Sequence, residues 1–437
     1  MKRTIFVLVT FVIMSGYGAA QDGENPTLHS QSHLSDYLRY LDAHSPVLKQ
    51  ESHRIEAAIA AEEIAGTLPD PNLNLSVFAQ EVETRVGPQK QKLGVSQSLP
   101  WKGKRSLQTQ LAQEETYRVQ ENREARRQEL HFKFKNYYAD YFFIGKALVI
   151  NQEHLVLLEN LEKVVDTKYR AGETGYTNLV RIDVEMDRFR DRIASLKDLA
   201  LPTRAAMNAM LGRAIEAPIN FPKMLHDARE SAWLLEAEPI ISQSLMKTNP
   251  QMRASQHLVT SRETARSLAQ LKRRPDFKVG VDWINTGSAV MAGVPESGKD
   301  PLVFSVGVNI PWNKRKYNAM ERVAGEHYLA SVEEQNNLEY QLTAQLKRAF
   351  YDYRDALRKI ELYRDTVMPK ARESMSVTLM SFEHDVSGYL DVIDAEQTLL
   401  EFALSMNQAM ADRTRALARI ELISGVPLPL NSPAHGH

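Results

Sequence analysis

Leu68-Pro69-Asp70-Pro71 opens an alternating polar-apolar run that closes at Leu99-Pro100-Trp101-Lys102-Gly103-Lys104-Arg105. The pattern returns much later: Arg274-Pro275-Asp276 opens a second run, and Ile310-Pro311-Trp312-Asn313-Lys314-Arg315 closes it. Other landmarks keep the same order. Pro250 follows Pro46 by 204 residues (250 − 46), and Pro275 follows Pro71 by the same spacing. Trp312 follows Trp101 by 211, while Gly388 follows Gly175 and Gly425 follows Gly212 by 213. Five landmarks in one order with small drifts define a tandem duplication. A duplicated β-hairpin followed by a very long helix predicts a tube rather than a globule.

Inside the hairpins the period is two. Leu73, Leu75 and Val77 alternate with Asn74 and Ser76, and Leu93, Val95 and Leu99 share a face that Gln97 interrupts. In the second copy Phe277, Val279, Val281 and Trp283 oppose Lys278, Gly280 and Asp282. Phe304, Val306, Val308 and Ile310 oppose Ser305, Gly307 and Asn309. One apolar and one polar or small face suits strands between lipid and a wet lumen. It also suits a soluble antiparallel sheet lying on a core, and the alternation alone leaves both open. The turn-rich segments Val86-Gly87-Pro88-Gln89 and Gly287 to Pro301 are read as outward loops. Trp101 and Trp312, each at a strand end and each followed by basic residues, are read as membrane-interface aromatics.

The helices supply a length. From Lys102 to Ala171 there is no proline, and after Gly103 at its very start the only glycine is Gly145; roughly 70 helical residues span about 105 Å. The turn Gly172-Glu173-Thr174-Gly175 reverses the chain. Each long helix is expected to pack against two shorter ones stacked end to end, at about 176–212 with 241–273 and at 389–425 with 34–66. Ile144, Leu148, Asn151, Leu155, Leu158 and Val165 follow coiled-coil steps, as do Leu346, Phe350, Tyr353, Leu357 and Ile360. Gln113 to Glu129 is polar nearly all round, which fits a wall wetted on both sides.

Met1 to Ala20 has the charged start, apolar core and small-residue end of a secretory signal. Its core is too short to span a bilayer, and no later segment has the apolar run of a transmembrane helix. There is no cysteine, which excludes disulfides, thiolate ligands and a lipidated N-terminal cysteine. Without Lys2 and Arg3 the charge is 52 basic against 55 acidic residues, which gives no support to a nucleic-acid surface.

These residues resemble the TolC-like outer-membrane efflux proteins. The resemblance covers nearly all of the mature chain. It rests on the two Pro-Asp…Pro-Trp hairpins, the duplicated long helices and the turn Ser387-Gly388-Tyr389-Leu390-Asp391-Val392-Ile393-Asp394-Ala395. It implies an α+β membrane protein: a homotrimeric 12-stranded transmembrane β-barrel, four strands per subunit, continued by a long periplasmic α-helical barrel. It further implies an exit duct in the outer membrane, extending into the periplasm. A periplasmic adaptor and an inner-membrane pump, RND-type, would dock at its closed end. Asp391 and Asp394 match the family's aperture aspartates. Spaced three apart near a helix start, both carboxylates share one face, and a carboxylate ring favours cations. Gly172, Gly175, Ser387 and Gly388 form the tip turns. The family's arginine and aspartate lock has no counterpart, since Ser387 and Asn178 stand there. Pro100-Trp101-Lys102-Gly103-Lys104 looks most like the heavy-metal efflux branch, which would make metal cations the substrate. The rival reading is a periplasmic coiled-coil adaptor or scaffold without a membrane barrel.

The expected divisions are a signal at 1–20, a first repeat at 21–240, a second at 241–426 and a tail at 427–437. The first repeat holds a hairpin at about 71–101, a long helix at 102–171, a return helix at 176–212 and an equatorial segment at 213–240. The second holds a hairpin at about 276–312, a long helix at 313–385 and a return helix at 389–425. Gly293 to Lys299 has the spacing of a phosphate loop, but Asp300 replaces the required Ser or Thr and the segment joins two strands. His384 between Glu383 and Asp385 is read as a solvated turn, and His435 and His437 as part of the tail. No enzyme, cofactor or metal site is expected.

Overall fold

The computed structural model describes residue 28 and residues 32–225, 233–384 and 386–426. The signal at 1–20, the tail at 427–437 and Asp385 lie outside them. Two helices open the chain, α1 (Leu34–His44) and α2 (Pro46–Ala65). The first hairpin, β1 (Asn72–Val82) and β2 (Gln89–Leu99), leads into α3 (Lys104–Arg170) and the return helix α4 (Tyr176–Leu211). The short α5 (Trp233–Glu236) precedes α6 (Glu238–Thr248) and α7 (Pro250–Leu271). The second hairpin is β3 (Phe277–Thr286) and β4 (Leu302–Val308). It leads into α8 (Lys314–Leu362), a π-helical turn (Tyr363–Val367), α9 (Met368–Glu383) and α10 (Tyr389–Ser424). The two hairpins form one antiparallel sheet in the order β1-β2-β3-β4.

The duplication is written into the core. Tyr37, Leu41 and Leu48 of one cluster recur as Ile241, Leu245 and Met252 of another, at the spacing of the two prolines. Leu130, Phe134, Tyr138 and Tyr141 recur as Leu342, Leu346, Phe350 and Tyr353, 212 residues on (342 − 130). A third cluster joins the copies toward the tip, where Leu158, Leu161 and Val165 of α3 meet Ile182 and Phe189 of α4 and Val392 and Leu400 of α10. The coiled-coil stripe of α3 is buried, Asn151 included, except at Leu155, which is half-buried.

Several boundaries differ from the sequence reading, each for a local reason. The spans 34–66 and 241–273 are each two helices. Ser45 and Asn249 both precede proline and take extended ψ of 124° and 123°, because the proline ring crowds an α conformation before it. Asn249 turns this break into a joint: its Oδ1 accepts the N–H groups of Gln251 and Met252, and its Nδ2 donates to the Ile423 carbonyl at 2.8 Å. The span 313–385 is interrupted by the π turn. Pro369 cannot donate to residue 365 and its ring collides there, so the preceding turn widens. The fourth strand ends at Val308, short of the expected 312, as Asn309 turns its side chain to accept the Asp276 N–H at 2.6 Å. Finally, α6 starts inside the segment read as equatorial. Its Glu238 pairs with Lys347 at 2.7 Å and Arg354 at 2.9 Å on α8, and hydrogen bonding to Lys347, then to Arg354, holds its carboxyl below the usual range.

Candidate functional site

The sheet has two faces of opposite chemistry. Register places Leu73, Val95, Val281 and Phe304 in one row across all four strands, and Leu75, Leu93, Trp283 and Leu302 in the next. These side chains are not covered: their exposure runs from 38% at Trp283 to 80% at Phe304. A soluble sheet would bury such a face. The opposite face carries Asn74, Gly94, Asp282 and Val303 in one row and Ser96, Gly280 and Ser305 in another. There Lys92 pairs with Asp282 at 2.9 Å. The Asp282 carboxylate lies across Gly94, where a Cβ would come within 2.1 Å of its Oδ1, so glycine makes room for it. Both sheet edges, β1 and β4, lack a partner strand among the described residues.

At the far end, α3 closes with paired hydrogen bonds from Gly172 N–H to the Tyr169 carbonyl and from Glu173 N–H to that of Lys168. Gly172 sits at φ +80°, where glycine alone is unstrained. Gly175 and Gly388 are instead extended helix N-caps, at φ −85° and −77°, so of these three tip glycines Gly172 alone uses positive φ. The Ser387 hydroxyl donates to the Thr378 carbonyl at 3.2 Å, and the Asn178 amide to Thr174 Oγ1 at 2.8 Å. Lys168 Nζ lies 4.8 Å from the Phe382 ring centre, joining the two turns.

Asp391 and Asp394 are both exposed, while Tyr389, Val392 and Ile393 turn inward. The two carboxylates therefore share the outer face of the first turns of α10. Asp391 also caps its own helix. Its Oδ2 accepts the Gly388 N–H at 2.8 Å, satisfying a donor that the helix start leaves orphaned. Trp101 stacks on Phe277 with ring centres 5.9 Å apart, on the apolar side of the sheet. Trp312 is 87% exposed and lies beyond β4 rather than ending it.

Two relationships escape the sequence reading. Asp276 bridges the hairpins by accepting the Trp101 N–H at 2.7 Å and Lys104 Nζ at 2.8 Å. His154 of α3 meets Glu396 of α10 at 2.9 Å, with both side chains buried and Phe189 stacked alongside. The second was readable in principle, since Glu396 falls on the buried spacing of Tyr389, Val392, Ile393 and Leu400.

Residues 241–426, from α6 through the end of α10, match the family model described as outer membrane efflux protein. That match covers the second repeat and is similarity to the family over this segment. Solved structures share the fold. The outer membrane protein VceC of Vibrio cholerae aligns at 15% identity and TM-score 0.75, over 90% of this chain and 96% of that one. The CmeC outer membrane channel of Campylobacter jejuni aligns at 11% identity and TM-score 0.72, over 97% and 94%. The open-state MtrE channel of Neisseria gonorrhoeae gives 16% and 0.72, over 92% and 94%. No curated protein matches the sequence.

Proposed function

We propose that this protein is the outer-membrane exit duct of a tripartite efflux system. One observation carries the reading: a four-stranded sheet that exposes a complete apolar face and leaves both edges open. In hydrocarbon, unpaired edge groups cost several kcal/mol each, so only a closed barrel is stable. Four strands cannot close alone, and copies must therefore combine. The structural neighbours, named as an outer membrane protein and outer membrane channels, point to the same membrane. Three copies would give 12 strands, with the paired helices continuing into the periplasm as a helical barrel. A free-standing periplasmic adaptor or scaffold would leave the apolar face and both edges uncovered.

In this reading Asp391 and Asp394 ring the periplasmic aperture, and Gly172, Gly175, Ser387 and Gly388 form the tip that a periplasmic adaptor meets. An RND-type inner-membrane pump supplies the solute. Metal cations are the substrate class suggested by the Pro100 to Lys104 hairpin end. The duct performs no covalent chemistry and acts by lining a path. The test is fractionation with electrophoresis: the protein should enter the outer-membrane fraction and migrate unheated as a trimer. A soluble periplasmic monomer would refute it.

A further inference from the structure

The paired apolar rows of the sheet end at its helix end with Leu99, Phe277 and Val308, with exposed Ile310 one step beyond. Beyond that row the chain becomes basic. Lys102, Lys272, Arg274, Lys314, Arg315 and Lys316 all stand within eight residues of these strand ends, and all are exposed. Among the described residues no ion pair engages the first five, and Lys316 lies 5.8 Å from the Tyr317 ring centre. Neutralising acids are scarce here. Asp276 is already held by Lys104 at 2.8 Å, which leaves Asp70. Trp312, beside the densest run of cations, is almost bare.

We propose that this collar binds the phosphates of anionic phospholipids in the periplasmic leaflet and so fixes the depth of the barrel. The inference rests on the membrane-barrel reading above. The sheet sets the level: where its apolar rows end, hydrocarbon ends and headgroups begin, a zone only a few ångströms deep on each side. Tryptophan prefers that zone, and lysine and arginine stems can lie along the apolar edge while their charges reach the phosphates. The cations are spread around strand ends rather than converging in a cavity. That geometry suits a surface of many headgroups better than one soluble anion. Repetition by symmetry would extend the collar around the barrel, and the attraction should weaken as salt screens it.

The four tryptophans allow a direct test. Trp101, Trp233 and Trp283 are replaced by Phe, leaving Trp312 as the reporter. The trimer is then reconstituted into phosphatidylcholine vesicles containing brominated phosphatidylglycerol, or into the reverse mixture with brominated phosphatidylcholine. Phosphatidylglycerol should be preferred about threefold or more at low salt, in keeping with several cations facing an anionic surface. The preference should fall toward unity at high salt and in Lys314→Gln/Arg315→Gln/Lys316→Gln. Equal quenching by both lipids would overturn the proposal and leave the barrel standing. Loss of the preference on adding inorganic phosphate at constant ionic strength would overturn it in favour of a free-phosphate site. Quenching by neither lipid would remove the barrel reading itself.

Discussion

Asp276 accepts the backbone N–H of Trp101 at 2.7 Å across 175 residues of sequence. The same Oδ1 takes Lys104 Nζ, whose side chain is only 10% exposed. The opening Pro-Asp of one repeat thereby pins the closing Pro-Trp of the other, where strands hand over to helices. Asp276→Ala leaves a nearly buried ammonium without its carboxylate and should cost about 1–3 kcal/mol. Asp276→Asn keeps an acceptor for Trp101 and should cost less. The temperature at which the unheated assembly dissociates checks this order. Identical, wild-type values for both variants would show the bridge to be dispensable.

The barrel prediction contrasts neighbouring residues of β4. Val306 pairs with Val279 on the apolar face and is 75% exposed, whereas Ser305 pairs with Gly280 on the small, polar face. Val306→Arg should destabilise insertion by about 2–4 kcal/mol near the bilayer midplane. Ser305→Arg should assemble normally. Yield of assembled protein in outer-membrane fractions reads both, and equal damage would remove the assignment of faces.

The sequence shows some of this architecture better than the rest, for physical reasons. The strands are legible because alternation records which side a residue faces, whatever lies there. What lies there is not legible: lipid and core select the same apolar residues, and only the built sheet shows that this face is left bare. The coiled-coil stripe of α3 is likewise readable, since burial imposes its spacing. The breaks at Ser45 and Asn249 are harder, because proline is welcome in a helix's first turn and the dipeptide does not say whether a helix starts or continues. Asp276 and Glu396 are hard in a different way: the burial of Glu396 could be read from its spacing on α10, but neither partner could. Each matters through a partner that only the tertiary fold brings near, Trp101 in one case and His154 in the other.

Closure of the sheet predicts a specific cross-link. In the proposed barrel the edges β1 and β4 would pair with neighbouring copies, and the absence of native cysteine makes introduced thiols unambiguous. Asn74→Cys on β1, paired in turn with Val303→Cys, Ser305→Cys and Gly307→Cys on β4, should include one combination that oxidises between subunits. Reducing and non-reducing gels should then show a ladder ending at trimer. A complete barrel migrating as a stable monomer in detergent, with no intersubunit product, would contradict the arrangement.

The aperture gives the last prediction. Asp391 and Asp394 project from one exposed face of α10, and three copies would gather six carboxylates around the axis. Such a ring should draw multivalent cations, which would plug the path. Single-channel conductance across a planar bilayer should therefore fall when a trivalent cation is added from the tip side. The variant must respect the capping role of Asp391, whose Oδ2 holds the Gly388 N–H. Alanine would remove that cap at a cost of about 0.5–2 kcal/mol and confuse a loosened turn with a lost charge. Asn retains an acceptor oxygen, so Asp391→Asn with Asp394→Asn should abolish the block while the trimer assembles and conducts. An undiminished block would move the constriction elsewhere, with Glu383 at the end of α9 the next residue to neutralise.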